Sequence, residues 1–240
     1  MLLANKTAIV YGGAGAIGSA VARAYAREGA RVHLAGRTPA TLEQVAARIR
    51  RDGGAAHVAS LDVLDHSAVE EHATAVAATG GIDICFNATS NDDVQGTALV
   101  DLPFEDFMRP VTKSLTAHFN VATAVARHMM ERRRGVILAM AGGREAIPRL
   151  GGSHAAWAAL AGLCRQLAAD MGPHGIRSVW LLSPGSPDHG GQADEAPAGL
   201  LLGRRPTYRE VANIAVFASS DWASTMTATE LNFTAGSVVD

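Results

Sequence analysis

Residues 7–18 read Thr-Ala-Ile-Val-Tyr-Gly-Gly-Ala-Gly-Ala-Ile-Gly, an apolar run followed by four glycines within seven positions. The run Thr7–Tyr11 predicts a short buried strand, and Ile17, Val21 and Tyr25 then recur every four residues along one helical face. Glycines between a strand and a helix allow a tight turn and a close approach of the backbone to a phosphate group. The stretch therefore predicts a phosphate-binding turn at the start of an α/β fold.

The same alternation continues along the chain. Because strands that alternate with helices form a parallel sheet with helices on both faces, we expect one doubly wound, Rossmann-type α/β domain over residues 1–240, with about seven strands. Residues 183–206 are rich in Gly, Pro and Ser and predict a lid-like functional loop. The expected strands are 7–11, 31–35, 56–61, 82–87, 136–141, 178–182 and 230–234, and the expected helices are 17–28, 39–52, 67–78, 104–131 (bent near Pro110), 153–171 and 207–219.

Composition excludes several classes of function. The 240 residues are 48% hydrophobic, and 21 basic against 23 acidic residues give a net charge of −2, so neither nucleic acid nor a membrane surface is an expected partner. No apolar run reaches transmembrane length, no signal peptide is evident, and no metal-ligand spacing occurs. Cys85 and Cys164 are expected to be free, buried thiols, and the location to be cytoplasmic.

The end of the second strand, Ala35-Gly36-Arg37, bears on the choice of nucleotide. A dinucleotide with a free ribose 2′-hydroxyl calls for an acidic residue there, whereas a 2′-phosphate calls for an arginine. No Asp or Glu lies near, and Arg37 is placed for a phosphate. The sequence thus favours NADP(H) over NAD(H), the alternative for Arg37 being a solvated loop residue.

Several motifs in their order resemble the short-chain dehydrogenase/reductase family over nearly the whole chain. The glycine turn fits that family's Gly-x3-Gly-x-Gly pattern with Ala16 at the middle glycine, and 61–63, 87–90 and 183–185 occupy the places of three further cofactor-contacting motifs. The resemblance implies an NADP(H)-binding site that comprises Gly12, Ala14, Gly15, Ile17, Gly18, Arg37, Asp62, Val63, Asn87, Ala88, Pro184 and Gly185.

The family's catalytic pair is missing. The resemblance implies a tyrosine that handles the substrate proton and a lysine four positions later, but the chain has only two lysines and three tyrosines, and none are so spaced. The tyrosine position falls on Ser153, the lysine position on Trp157, and the asparagine position on Ser114. The serine position lies within 140–142, where there is no hydroxyl.

Replacement groups follow from these positions. Ser153, Ser114 and His154 are the candidate catalytic residues, with His118 and the lid residue His189 as further histidines. Arg144, together with Glu145, follows the fifth strand and is a candidate to hold an anionic or carbonyl substrate. Trp157 is a candidate to stack on a ligand, although it fits equally a side chain packed between helices.

Two functional hypotheses stay open. The first is an NADP(H)-dependent oxidoreductase that acts on a small carbonyl or alcohol with a non-standard proton donor. The second is a non-redox descendant of the family, either a ligand-binding or regulatory protein or an enzyme of another reaction class. In both cases a small molecule is the expected partner, and the resemblance implies a homodimer or homotetramer formed through the helices at 104–131 and 153–171.

Overall fold

The computed structural model describes residues 1–184 and 199–239. They form a seven-stranded parallel sheet in the order β3-β2-β1-β4-β5-β6-β7, flanked by six α-helices. The strands are β1 (Thr7–Tyr11), β2 (Arg31–Gly36), β3 (Ala55–Ser60), β4 (Ile84–Asn87), β5 (Gly135–Ala141), β6 (Ile176–Leu182) and β7 (Thr229–Asn232), and the helices are α1 (Ala16–Arg27), α2 (Pro39–Arg51), α3 (His66–Ala77), α4 (Phe104–Arg132), α5 (Ser153–Met171) and α6 (Tyr208–Ser219).

The sheet is covered on both faces, as the continuous apolar strands predict. Alternate strand residues enter two cores: Val10 packs with helices α1, α2 and α6, whereas Ile9 packs with α3, α4 and α5. Both side chains are fully buried. The expected fold class is therefore confirmed, and Cys85 and Cys164 are free and buried as expected.

Most element bounds fall within a residue or two of the predicted ones. The clearest difference is β4, which begins at Ile84 rather than residue 82. Asp83 lies just before it, where its carboxylate accepts the Thr7 N–H at 2.9 Å and pairs with Arg134 at 3.1 Å. The polar contacts of Asp83 therefore precede the strand, and the hydrophobic pattern alone does not show where β4 begins. Helix α4 is continuous through Pro110.

The strand order reverses between β1 and β4, because the chain first proceeds outward through β2 and β3 and then returns to the other side of β1. In parallel sheets the carboxyl ends of two such strands border a crevice where ligands bind. Tyr11 pairs with Asn87 at this end, so the two loops that follow these residues lie next to each other. None of the helices in the described part of the chain has both the length and the apolar character needed to cross a membrane.

Candidate active site

The glycine turn after β1 has the tight geometry that its sequence predicts. Gly12 adopts a positive φ of 74°, and a Cβ there would lie 2.7 Å from the Ala88 carbonyl oxygen. A Cβ on Gly18 would lie 2.2 Å from the Gly12 carbonyl oxygen. The N–H groups of Gly12 and Gly13 donate to the Ala35 carbonyl at 2.9 and 3.2 Å, which ties the turn to the end of β2. Any side chain at these glycines would push the turn away from its neighbours.

The turn presents the beginning of α1 to the crevice. Gly15 is the N-cap and brings no capping side chain, and Gly15 and Ala16 are exposed, while Ala14 and Ile17 pack partly against the core. The first N–H groups of a helix lack intrahelical acceptors and carry the positive end of its dipole. A pyrophosphate fits this position, since the backbone is open and the free N–H groups of the first turn favour a bound anion.

The ends of β2 and β3 form one side of the crevice. Arg37 is exposed just after β2, and the Leu61 N–H donates to the Gly36 carbonyl at 3.0 Å. Asp62, partly exposed, accepts the Leu64 N–H at 3.0 Å, while Val63 is buried and its carbonyl accepts the Asn120 side-chain amide at 2.9 Å. These contacts fix the Asp62 backbone beside Arg37 at the end where an adenosine would lie.

Asn87 is nearly buried at the end of β4. Its Oδ1 accepts the Thr89 N–H at 3.1 Å and the Thr89 hydroxyl at 2.8 Å, and its Nδ2 lies 3.5 Å from His118 Nδ1. The other ring nitrogen of His118 lies 3.6 Å from Cys164 Sγ. His118 is fully buried, and burial lowers its pKa to about 4, so the ring is neutral at pH 7. His118 therefore lies beneath Asn87 and not on the surface of the crevice.

Ser153, at the tyrosine position, is the first residue of α5 and is fully buried. Its hydroxyl donates to Asp93 Oδ2 at 2.6 Å, and the Gln95 side-chain amide donates to the same oxygen. His154 follows on α5 and is half-buried. Ser114, at the asparagine position, is half-buried on α4. The structure thus brings Ser153 into contact with a carboxylate that the sequence reasoning did not single out.

A second carboxylate lies beside the first. Asp92 forms an ion pair with Lys113 on α4. The Lys113 ammonium holds the pKa of Asp92 below its usual range, and Arg37 contributes in the same direction with a smaller effect. The loop after β4 therefore extends from the neighbourhood of Arg37 to the start of α5. The signal in the sequence was the pair of aspartates at 92 and 93, five and six positions after Asn87.

Trp157, at the lysine position, packs against the sheet. A Cβ on Gly142 would lie 2.3 Å from three atoms of the indole ring, so the ring faces this glycine at the end of β5. The ring also packs on the buried cluster that contains Ala141 and Leu160. The ring is thus packed, as one alternative expected, but against the end of the sheet rather than only between helices, and a Cβ at residue 142 would clash with it.

The remaining predicted residues lie along the far side of the crevice. Arg144 forms an ion pair with Glu230 of β7, whose other oxygen accepts the Trp180 indole N–H at 3.1 Å, so any anionic substrate would have to compete with this pair. Glu145 is exposed, and Pro184, directly after β6, is partly buried. Gly185 and His189 lie outside the described residues, as does most of the expected lid. No group of three or more His, Cys, Asp or Glu side chains within 1–184 and 199–239 is arranged to hold a metal ion.

Comparison with known proteins adds to this geometry. Residues 12–237 match a family model described as enoyl-(acyl carrier protein) reductase. The uncharacterized oxidoreductase YxbG of Bacillus subtilis (strain 168) is 31% identical in an alignment of length 251, gaps included, which covers 98% of this chain and 91% of that protein. D-threitol dehydrogenase of Mycolicibacterium smegmatis is 32% identical in an alignment of length 242, which covers 95% of this chain and 91% of that protein. A crystal structure of NAD⁺-bound xylitol dehydrogenase superimposes with a TM-score of 0.87 at 26% identity, covering 98% of this chain and all of that one.

Proposed function

The chain belongs to the short-chain dehydrogenase/reductase family, whose relatives are dehydrogenases and reductases, and from that premise we propose that it is an oxidoreductase that uses a nicotinamide cofactor, preferably NADP(H), on a small alcohol or carbonyl compound. The observation that carries the proposal is the exposed glycine turn at the start of α1, located where the strand order reverses. This is the position at which a doubly wound sheet binds a dinucleotide.

In this proposal each end of the crevice holds one part of the cofactor. The turn at Gly12, Ala14 and Gly15 lets the pyrophosphate approach the backbone, and the first-turn N–H groups of α1, among them those of Ile17 and Gly18, bind it. Asp62 and Val63 contact the adenine, Arg37 binds the 2′-phosphate, and Asn87, Ala88 and Pro184 line the nicotinamide half. When bound, the nicotinamide ring takes a hydride from an alcohol carbon or returns one to a carbonyl carbon.

NADP(H) is the finer part of the proposal. Arg37 supports it because an exposed guanidinium at the end of β2 matches a 2′-phosphate with charge-assisted hydrogen bonds. A similar protein, xylitol dehydrogenase, was crystallised with NAD⁺, so titration with both NADPH and NADH is the measurement that decides the preference of this chain.

The proton that accompanies the hydride needs a donor other than tyrosine. We propose that this proton is transferred at the start of α5, where Ser153 lies at the tyrosine position. His154, the next residue of α5, and Ser114, at the asparagine position, are the other candidates for this role. Arg144 and Trp157 are proposed to border the substrate, Trp157 by closing the floor of the crevice against Gly142.

The first test is binding. Titration of the pure protein with NADPH, followed by fluorescence, should show saturable binding, and oxidation of D-threitol or xylitol with NADP⁺ should raise the absorbance of reduced cofactor. These two polyols are chosen because dehydrogenases of them are among the similar proteins. No binding at millimolar cofactor would contradict the proposal. Binding without turnover over a panel of polyols, ketones and activated alkenes would favour the non-redox alternative.

A further inference from the structure

The contact between Ser153 and Asp93 carries an inference that extends the proposed function. The two residues are 60 positions apart in the chain, yet the hydroxyl donates to the carboxylate at 2.6 Å. Ser153 is 0% exposed, whereas Asp93 is only partly buried. Of the two residues, Asp93 is therefore the one that a substrate at the start of α5 can reach.

The loop that carries Asp93 is fixed at several points. The Gly96 N–H donates to the Arg149 carbonyl at 2.9 Å, and a Cβ on Gly151 would lie 2.2 Å from the Val94 carbonyl oxygen. The segment after β4 therefore packs closely against the residues that precede α5. This packing holds the Asp93 carboxylate over the first turn of that helix.

The two neighbouring carboxylates differ in their partners. Asp92 is paired with the Lys113 ammonium, whereas the hydrogen-bond donors to Asp93 in the described part of the chain, Ser153 and Gln95, are both neutral. The Lys113 ammonium makes Asp92 a weaker proton acceptor, whereas the neutral donors orient the Asp93 carboxylate without placing a positive charge against it. Asp93 is thus the carboxylate of the pair that is prepared to act as a base.

We propose that Asp93 is the proton acceptor of this enzyme, that Ser153 positions it, and that the substrate is an alcohol that the enzyme oxidises. The inference rests on the proposed function, since it assigns the missing proton step to that same crevice. Carboxylates are ionised at neutral pH, so a side chain of this class accepts a proton more readily than it donates one. This favours the direction from alcohol to carbonyl.

The Asp93 carboxylate takes the proton of the substrate hydroxyl, and the electrons of that O–H bond form the second bond of the carbonyl group. The carbinol C–H bond breaks, and its electron pair leaves as a hydride that reduces the nicotinamide of NAD(P)⁺. The products are the carbonyl compound, NAD(P)H and a protonated Asp93, which returns its proton to solvent.

Asp93→Asn tests the proposal because it keeps an acceptor for Ser153 but removes the base. With xylitol and D-threitol as probes, we expect kcat/KM to fall about 10²–10⁴-fold, the range for loss of a general base. NADPH binding by fluorescence and the thermal midpoint should stay at wild-type values. Asp101→Asn, at an exposed aspartate in the segment between β4 and α4, is the matched control and should keep full activity.

A second variant separates chemistry from structure. In Asp93→Gly, added formate should restore part of the turnover, because a small carboxylate can occupy the vacated position. Wild-type activity in Asp93→Asn, or absence of rescue in Asp93→Gly, would overturn the role of Asp93 alone and leave the proposed function standing. A parallel loss of NADPH binding in Asp93→Asn would show a structural role and overturn it too. A wild-type protein that binds NADPH but oxidises neither polyol nor any other alcohol would overturn both proposals.

Discussion

At the scale of single residues, the contact between Trp157 and Gly142 connects two departures from the family that look independent in the sequence. The indole lies where any Cβ at residue 142 would be 2.3 Å from three ring atoms. A serine at this position and a tryptophan at the lysine position therefore exclude each other by volume. If the family's serine position is residue 142, the glycine there and the indole at 157 depend on each other through packing.

Gly142→Ser should consequently destabilise the protein by about 1–3 kcal/mol, as expected for overpacking. Urea unfolding measures the difference in the free energy of unfolding. Gly143→Ser is the matched control, since a Cβ there would have its nearest contact at 3.8 Å, on Val238. Adding Trp157→Ala to Gly142→Ser should recover part of the loss. A Gly142→Ser variant as stable as Gly143→Ser would show that the ring moves aside freely.

Arg37 is the residue on which the cofactor preference depends. Arg37→Asp should weaken NADPH binding far more than NADH binding, because a 2′-phosphate would lose its partner and meet a like charge. Fluorescence titration with both cofactors gives the two dissociation constants. Arg48→Asp, at an exposed arginine on α2, should change neither. Equal weakening of both cofactors by Arg37→Asp would refute the preference for NADP(H).

The residues of the site differed in how far the sequence could predict them. Gly12 and Gly18 could be predicted because a turn between adjacent elements depends only on nearby residues, through the backbone φ and the lack of a Cβ. The hydrogen bond between Ser153 and Asp93 could not be predicted, since it depends on how the loop after β4 packs against the start of α5, 60 positions further along the chain. The position of the Trp157 ring could not be predicted either, because it depends on packing against Gly142 at the end of β5.

At the scale of elements, the junction of β4, α4 and α5 encloses a neutral histidine. His118 lies between Asn87 and Cys164, and burial raises the pKa of that thiol to about 12, so no charge is present to stabilise an imidazolium. Burial likewise lowers the pKa of His33 and of His72 to about 4, with His57 adding to the effect at His33. Three elements, β2, α3 and α4, thus each carry a histidine that folding keeps uncharged.

These histidines predict how stability depends on pH. The unfolded chain protonates them below about pH 6.5, while the folded protein does not until about pH 4. The contribution of these histidines to the free energy of unfolding should therefore be constant above about pH 6.5 and fall between pH 6.5 and 4. For the fully buried His118 alone, the loss is about 3 kcal/mol, from roughly 1.4 kcal/mol per pKa unit.

Urea unfolding at several pH values measures this slope. His118→Gln should flatten the curve between pH 6.5 and 4 relative to the wild type, whatever its effect at pH 7. His174→Asn, at a histidine in the short turn after α5, should leave the slope as it is. A wild-type stability that is level from pH 7 to 4.5 would contradict the prediction.

Element bounds were predicted well because hydrophobic periodicity and local caps decide them. Helix α5 matches its expected span, and Thr207 caps α6 with a reciprocal contact to Glu210 that the sequence places three residues on. Strand β4 was predicted too long because its first two positions are apolar and acidic, and the polar contacts of Asp83 with Thr7 and Arg134 are invisible in a local pattern.

At the scale of the whole molecule, helices α4 and α5 present an outer face that supports self-association. Phe119 on α4 is 51% exposed, and Ala158 and Gly162 on α5 are exposed small residues that permit close helix contact. We expect the protein to be a homodimer or homotetramer that pairs through this face. Light scattering of the wild type should give a mass of two or four chains, and Gly162→Arg should reduce it.

The control for this prediction is Ala47→Arg, at an exposed residue of α2 on the opposite side of the sheet. It should leave the mass unchanged. A wild type that is monomeric at micromolar concentration would refute self-association, and a Gly162→Arg variant with the wild-type mass would refute this face as the interface.

The contact of the glycine turn with the end of β4 also has a consequence for folding kinetics. Gly12 is packed against Ala88, and Thr7 donates to Asp83, 76 positions further along the chain. During synthesis the first strand, helix and turn emerge long before β4, so the turn has no neighbour on its outer side until that strand is made. Contacts of such high sequence separation slow folding, because the entropy cost of closing the intervening loop has to be met before the contact forms. The turn should therefore gain its native packing only once β4 pairs with β1, and bound cofactor should stabilise that pairing.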